Sequence, residues 1–212
     1  MRPRGLFITF EGMDGSGKTT QMRRLAEQLR ANGLAVLETA EPGGTPIGLQ
    51  VRRILLDSAN QMLSPTAEML LFFACRAQNV DQWIMPALAE GRIVLSDRFT
   101  DSTLVYQGCG RGLGAEAVLA IDRIACRGLV PDLTLLIDID AETSLRRANA
   151  RNASANDTET RLDEESLDFH RRVYDAYHAL AAREQARFRI IDGRADLDAI
   201  AHEIWSVVEP YV

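Results

Sequence analysis

One lysine occurs in 212 residues, against 23 arginines, and it lies within Gly12-Met13-Asp14-Gly15-Ser16-Gly17-Lys18-Thr19. Arg and Lys interchange freely on a solvated surface. They do not where a compact ammonium must enter a tight loop, because a guanidinium is planar and wide. The segment fits Gly-x-x-x-x-Gly-Lys-[Ser/Thr], a loop whose backbone N–H groups cradle phosphates. That loop needs a strand before it and a helix after it. Residues 6–10 form an apolar, β-rich run. After Thr19, Met22, Leu25, Ala26 and Leu29 are spaced for one buried helix face. Asn32-Gly33 supplies a stop signal. Lys18 is expected to reach the β- and γ-phosphates of a nucleotide, and the Thr19 hydroxyl to hold Mg²⁺.

The rest of the chain continues the alternation. Strands are expected at 6–10, 35–39, 93–96, 133–137 and 188–191, with helix starts at Thr45-Pro46 and Ser64-Pro65. Alternation of this kind predicts an α/β fold: one parallel sheet covered by helices on both faces. Ligands bind such sheets beyond the carboxyl ends of the strands. The segments 12–19 and 41–45, the pair Asp97-Arg98, and Asp138 should therefore converge. A chain of 212 residues suits a single domain. The most polar stretch, 149–160, lies between two helical patterns and reads as a mobile loop, a lid spanning about 147–161.

The net charge of −6 argues against a nucleic-acid or membrane-surface binder. No long apolar span or leader pattern is present, so a cytoplasmic protein is expected. Cys75, Cys109 and Cys126 are too widely spaced for a metal site and read as reduced thiols. His170 and His178 are eight residues apart and can share a helix face, with a packing or solvated role expected for both.

Asp97-Arg98 follows a strand. A carboxylate placed there can orient Mg²⁺, and the adjacent guanidinium can clamp a second phosphate. Asp138 also ends a strand and competes for the metal role. In the helix opened by Ser64-Pro65, Phe72 and Arg76 are four apart and share a face. An aromatic ring beside a guanidinium can stack on a nucleobase and bond its edge, although core packing is an alternative for Phe72. Phe73 reads as core, in phase with Met69, Leu70 and Ala77.

Taken together, the chain resembles the bacterial thymidylate kinases, members of the P-loop nucleoside monophosphate kinases. The resemblance rests on the phosphate loop, Glu41-Pro42-Gly43-Gly44-Thr45, the Leu-Phe-x-Ala-x-Arg segment ending at Arg76, Asp97-Arg98-Phe99, and Tyr106-Gln107-Gly108 with Arg111-Gly112. It implies a P-loop three-layer sandwich, transfer of the ATP γ-phosphoryl group to dTMP with Mg²⁺, and a homodimer packed through helices. It implies that residues 12–19 (Gly12, Met13, Asp14, Gly15, Ser16, Gly17, Lys18, Thr19), Thr20 and Arg194 bind ATP. Phe72 would stack on thymine and Arg76 bond its edge, with Thr103 and Gln107 near the base. Glu41, Pro42, Arg52 and Arg98 would line the acceptor side, the two arginines holding its phosphate. Asp14 would meet the 3′-hydroxyl, and Tyr106 would crowd the 2′ position. Thr19 and Asp97 would hold the metal. In this type the lid supplies a catalytic arginine, here Arg151 or Arg147, with Arg161 as a further candidate. One departure is Ala40, where many members carry arginine.

A phosphate-monoester acceptor is largely dianionic near neutral pH and needs no general base. It needs cations that let two anions approach in line. Lid closure would exclude water. A nucleoside kinase is the alternative within enzymes, with Glu41 as base for a hydroxyl acceptor. A GTP-driven switch is excluded by the missing Asn-Lys-x-Asp, since the only lysine is in the phosphate loop. A non-catalytic ATP-binding module is the remaining alternative, and ADP formation that depends on dTMP distinguishes it.

Overall fold

A computed structural model describes residues 5–155 and 158–212. Asn156 and Asp157, within the expected lid, lie outside the described residues. Five strands, β1 (Phe7–Glu11), β2 (Val36–Ala40), β3 (Ile93–Asp97), β4 (Leu133–Asp138) and β5 (Phe188–Asp192), form one parallel sheet in the order β2-β3-β1-β4-β5. Every strand runs one residue past the end that hydrophobicity predicts. The added residues, Glu11, Ala40, Asp97, Asp138 and Asp192, keep the β-conformation while four of them are already acidic. They bring these carboxylates to the edge where a ligand binds.

Side chains alternate across the sheet. Ile8, Phe10, Leu95, Leu135 and Ile137 face α1 (Lys18–Ala31) and α9 (Leu197–Val208), packing on Met22, Leu25, Leu29, Ile200 and Ile204. Phe7, Val94 and Leu136 face the other way. They pack under α3 (Pro65–Asn79), α6 (Ala115–Ala125) and α8 (Leu167–Arg183), through Phe73, Val118, Val173 and Tyr177. Glu11, in phase with Phe7, points into this second layer. Strands buried on both faces explain the near-continuous apolar runs.

Both expected helix starts are capped. Thr45 Oγ1 accepts from the Gly48 N–H at 2.9 Å to open α2 (Pro46–Leu56). Ser64 Oγ accepts from Ala67 N–H at 3.3 Å to open α3. Met69 and Phe73 enter the core as expected, but Leu70 is half exposed, because it falls on the outer side of α3. α3 continues through a π-helical turn, Val80–Ile84, into α4 (Met85–Ala89). After β3, α5 (Thr100–Thr103) widens into a π-helical segment, Leu104–Gly110.

The expected polar loop is corrected in part. α7 spans Ala141–Ala155, so its last turns take in residues 149–155. Their Ala, Arg and Asn residues tolerate a helix although no apolar face marks one. Among the described residues, no helix is long and apolar enough to cross a membrane.

Candidate active site

The phosphate loop leaves β1 at Gly12, whose φ is 129°, and a Cβ there would stand 2.4 Å from the Ile137 carbonyl oxygen. Gly15 has φ 73°, and a Cβ there would meet Arg147 Cβ of α7 at 2.7 Å. The loop therefore turns tightly and lets α7 lie against it. Gly17, in the left-handed region, starts α1 with no side-chain cap, leaving the first N–H groups available to an anion. Lys18 Nζ donates to the Met13 carbonyl at 2.7 Å and lies 3.5 Å from Ser16 Oγ. Burial, with Arg98 nearby, pushes the Lys18 ammonium down to about 8, against the pull of Asp14, Asp97 and Glu11. Thr19 donates its hydroxyl to the Asp97 carboxylate at the end of β3.

Arg98 sits at the centre of the site with φ 72°, in the left-handed region that non-glycine residues rarely adopt. One terminal nitrogen donates to Ser102 Oγ at 2.8 Å and Tyr177 OH at 3.2 Å. The other donates to Asp14 Oδ1 at 2.9 Å and Tyr106 OH at 3.4 Å. The guanidinium carbon lies 5.1 Å from the Tyr106 ring centroid. Burial by itself would raise the Asp14 carboxyl, but Arg98 and Lys18 outweigh it and hold it well below the usual carboxylate range.

On one side of Arg98 lie Phe72 and Arg76. Both line the cavity, as their shared helix face predicts. Phe72 also packs on Leu55 and Leu56, so the core and site readings of this ring both hold in part. Arg76 Nε donates to the Glu41 carboxylate, and its second terminal nitrogen donates to the Phe99 carbonyl and Thr103 Oγ1, each at 3.0 Å. Its remaining nitrogen is buried with no hydrogen-bond partner among the described residues. Glu41 is held by Arg76 and by Asn79 at 3.2 Å, so it is not free to serve as a base. Gln107 lines the same wall and donates to Glu68 at 2.9 Å.

The arginines of the expected lid separate by position. Arg147, on α7, donates to the carbonyls of Gly15 at 3.4 Å and Gly193 at 3.2 Å. Arg151 is half exposed and bonds Asp163 at 2.9 Å. Arg161, a third candidate, does not line the cavity. It is buried, donating to the Leu55 carbonyl at 2.6 Å and to Glu68 at 2.7 Å, because this stretch folds back onto α2 and α3. Arg52 donates to the Pro42 carbonyl at 2.9 Å and pairs with Glu159 at 2.7 Å.

These groups enclose a cavity of about 660 Å³. Asp14, Gly15, Gly17, Lys18, Thr19, Thr20, Glu41, Pro42, Arg52, Asp97, Thr103, Tyr106, Arg147 and Arg151 line it beside Phe72, Arg76, Arg98 and Gln107. Gly12, Met13 and Ser16 shape the loop from behind. Arg194 is exposed, paired with Asp192 at 2.9 Å, and lies outside the lining. Asp138 is corrected as a metal candidate: it is bonded to His178 at 3.0 Å and does not reach the cavity. His170 is buried in α8, where burial lowers its pKa.

Sequence reasoning missed Glu11, Ser102, Tyr177, Glu159 and Asp163. A glutamate ending an apolar strand was a signal for Glu11. Tyr177 gave none, since it lies 79 residues from Arg98 in a helix with an ordinary core pattern.

The thymidylate kinase family model matches residues 10–204. The chain is 48% identical over 205 residues to a thymidylate kinase of Solidesulfovibrio magneticus, covering 96% of this chain and 98% of that one. It is 50% identical over 196 residues to that of Geotalea daltonii, covering 92% of each. Its fold is similar to the crystal structure of thymidylate kinase from Ehrlichia chaffeensis, with a TM-score of 0.78 and 33% identity over 98% of this chain and 99% of that one.

Proposed function

The chain belongs to the thymidylate kinase family and phosphorylates dTMP to dTDP with ATP in dTTP synthesis, and we propose that five basic residues divide that work between the two anions. Lys18 serves the β- and γ-phosphates of ATP. Arg98 and Arg52 hold the phosphate of dTMP. Arg151, with Arg147 beside the phosphate loop, closes on the group in transit. The observation that carries this division is Arg98, which lies between the phosphate loop and the Phe72–Arg76 wall and bonds Asp14 at 2.9 Å.

The acceptor oxygen is already anionic, so the residues need only position and screen. Phe72 stacks on thymine. The Arg76 nitrogen that has no partner among the described residues supports a hydrogen bond to the base edge, since a buried donor without an acceptor is costly. Tyr106, held by Arg98 and by Asp14 at 3.2 Å, supports a wall against a 2′-hydroxyl. Asp14 takes the 3′-hydroxyl. Gly12–Thr20 and Arg194 serve ATP.

Thr19 and Asp97 fit Mg²⁺: a hydroxyl and a carboxylate are hard oxygen donors, and this ion is commonly bound by one or two protein oxygens plus substrate phosphates. When bound, the ion would neutralise charge on the donor phosphates.

The domain is single, with a lid about 147–161 that excludes water on closing. The enzyme is a cytoplasmic homodimer. Exposed Ile47, Leu49 and Ile54 on α2, Leu70 on α3, and Leu119 and Ile124 on α6 support a helical dimer face. α2 packs against α3, and α3 against α6, so these residues belong to adjoining helices.

An ADP-release assay across the nucleoside monophosphates tests the reading. Turnover should be greatest with dTMP, and Arg98→Ala should raise the KM for dTMP while sparing that for ATP. An unchanged dTMP KM in Arg98→Ala would remove Arg98 from the acceptor site.

A further inference from the structure

We propose that Glu11 is the positioning residue of the acceptor site, fixing the backbone turn that carries Arg98 and aiming its guanidinium through Ser102 and Tyr177. The proposal rests on the reading that Arg98 holds the acceptor phosphate. Glu11 itself is fully buried and does not line the cavity, so it touches neither substrate.

The argument starts from the backbone. Arg98 sits at φ 72°, a strained conformation for a residue with a Cβ, which persists only when its surroundings enforce it. Three hydrogen bonds do so. The Arg98 N–H donates to the Phe10 carbonyl at 2.9 Å. Ser96 Oγ donates to the Arg98 carbonyl at 2.7 Å. The next N–H, that of Phe99, donates to Glu11 Oε1 at 2.7 Å. Glu11 thereby ties the end of β1 to the exit of β3 beyond the last ladder bond.

The other carboxylate oxygen works on the side chain. Glu11 Oε2 accepts from Ser102 Oγ at 2.5 Å and from Tyr177 OH at 2.9 Å. With both hydroxyl hydrogens turned toward Glu11, their lone pairs are presented to Arg98, which donates to Ser102 at 2.8 Å and Tyr177 at 3.2 Å. In its ionised form the carboxylate only accepts, and so sets the direction of both hydroxyls; burial, with Asp101 nearby, raises its pKa to about 7. An amide in its place presents one oxygen and one NH₂. It can satisfy the Phe99 N–H or the two hydroxyls, but not all three donors.

Glu11→Gln tests this with ATP and dTMP titrated separately. The KM for dTMP should rise roughly tenfold or more, as for the loss of hydrogen bonds to a charged group, with the KM for ATP within about twofold. Tyr177→Phe removes one relay hydroxyl and should raise the dTMP KM several-fold by the same selectivity. It carries the test if Glu11→Gln does not fold. Equal losses at both substrates, or an unchanged dTMP KM in either folded variant, would overturn the proposal. Arg98→Ala runs alongside: if it leaves the dTMP KM untouched, the acceptor reading fails first, independently of Glu11.

Discussion

The Glu159 carboxylate lies 2.7 Å from Nε of Arg52, so the segment proposed as the lid places an anion on a cation proposed for the acceptor site. A dianionic phosphate arriving at Arg52 must displace or share that partner. The two side chains are 27% and 33% exposed, and a half-exposed pair is worth about 0.2–1 kcal/mol. Glu159→Gln should therefore lower the KM for dTMP by roughly two- to fivefold with kcat little changed. Steady-state kinetics check this, and a raised KM would mean that Glu159 helps to build the site instead of competing for it.

Lys18 should be both essential and pH-sensitive. Lys18→Ala should cut turnover by about two orders of magnitude or more with folding intact, since a preorganised cation is lost from the transferring group. In the free protein burial leaves the ammonium near 8. Polyphosphate favours the charged form, so ATP binding raises this pKa and takes up a proton above pH about 8. ATP affinity should accordingly fall as pH rises through that value, and Lys18→Ala should lose the dependence. Calorimetry in buffers of different ionisation enthalpy measures the uptake directly.

How much of this was legible in the sequence depends on locality. The phosphate loop, both capped helix starts and the Phe72–Arg76 face follow from spacings of a few residues, where backbone geometry leaves little choice. Strand ends did not follow. Apolar runs stop at Phe10 and Ser96, yet the ladder continues to Glu11 and Asp97, because a hydrogen-bonded strand tolerates a polar residue where the sheet opens onto its site. Tyr177 and Arg161 were illegible as partners of Arg98 and Glu68. Each is joined across more than 70 residues by packing, which no local pattern encodes.

Arg151 and Arg161 should part company under substitution. Arg151 is half exposed at the cavity, so Arg151→Ala should lower kcat by about tenfold or more and leave stability nearly unchanged. Arg161 pairs with Glu68, and both are buried. Removing one member of a buried pair costs about 3–5 kcal/mol, reduced here because Arg111 and Gln107 still serve Glu68. Arg161→Ala should thus shift denaturant midpoints before it changes the chemistry. If instead Arg161→Ala retains full stability and loses turnover, the lid arginine has been misassigned.

Arg76 needs a gentler probe, because Arg76→Ala would strand the buried Glu41 carboxylate and report on folding alone. Arg76→Lys keeps a positive charge beside Glu41. It forfeits the planar fork that reaches the Phe99 carbonyl and Thr103, and with it the nitrogen that has no acceptor among the described residues. If that nitrogen donates to a carbonyl on the thymine edge, a cytosine amino group at the same place would meet donor with donor. The native enzyme should then discriminate against dCMP, and Arg76→Lys should narrow the kcat/KM ratio of dTMP to dCMP by roughly tenfold, the size of a lost buried hydrogen bond. An unchanged ratio in a folded Arg76→Lys protein would assign base selection to Thr103 and Gln107 instead.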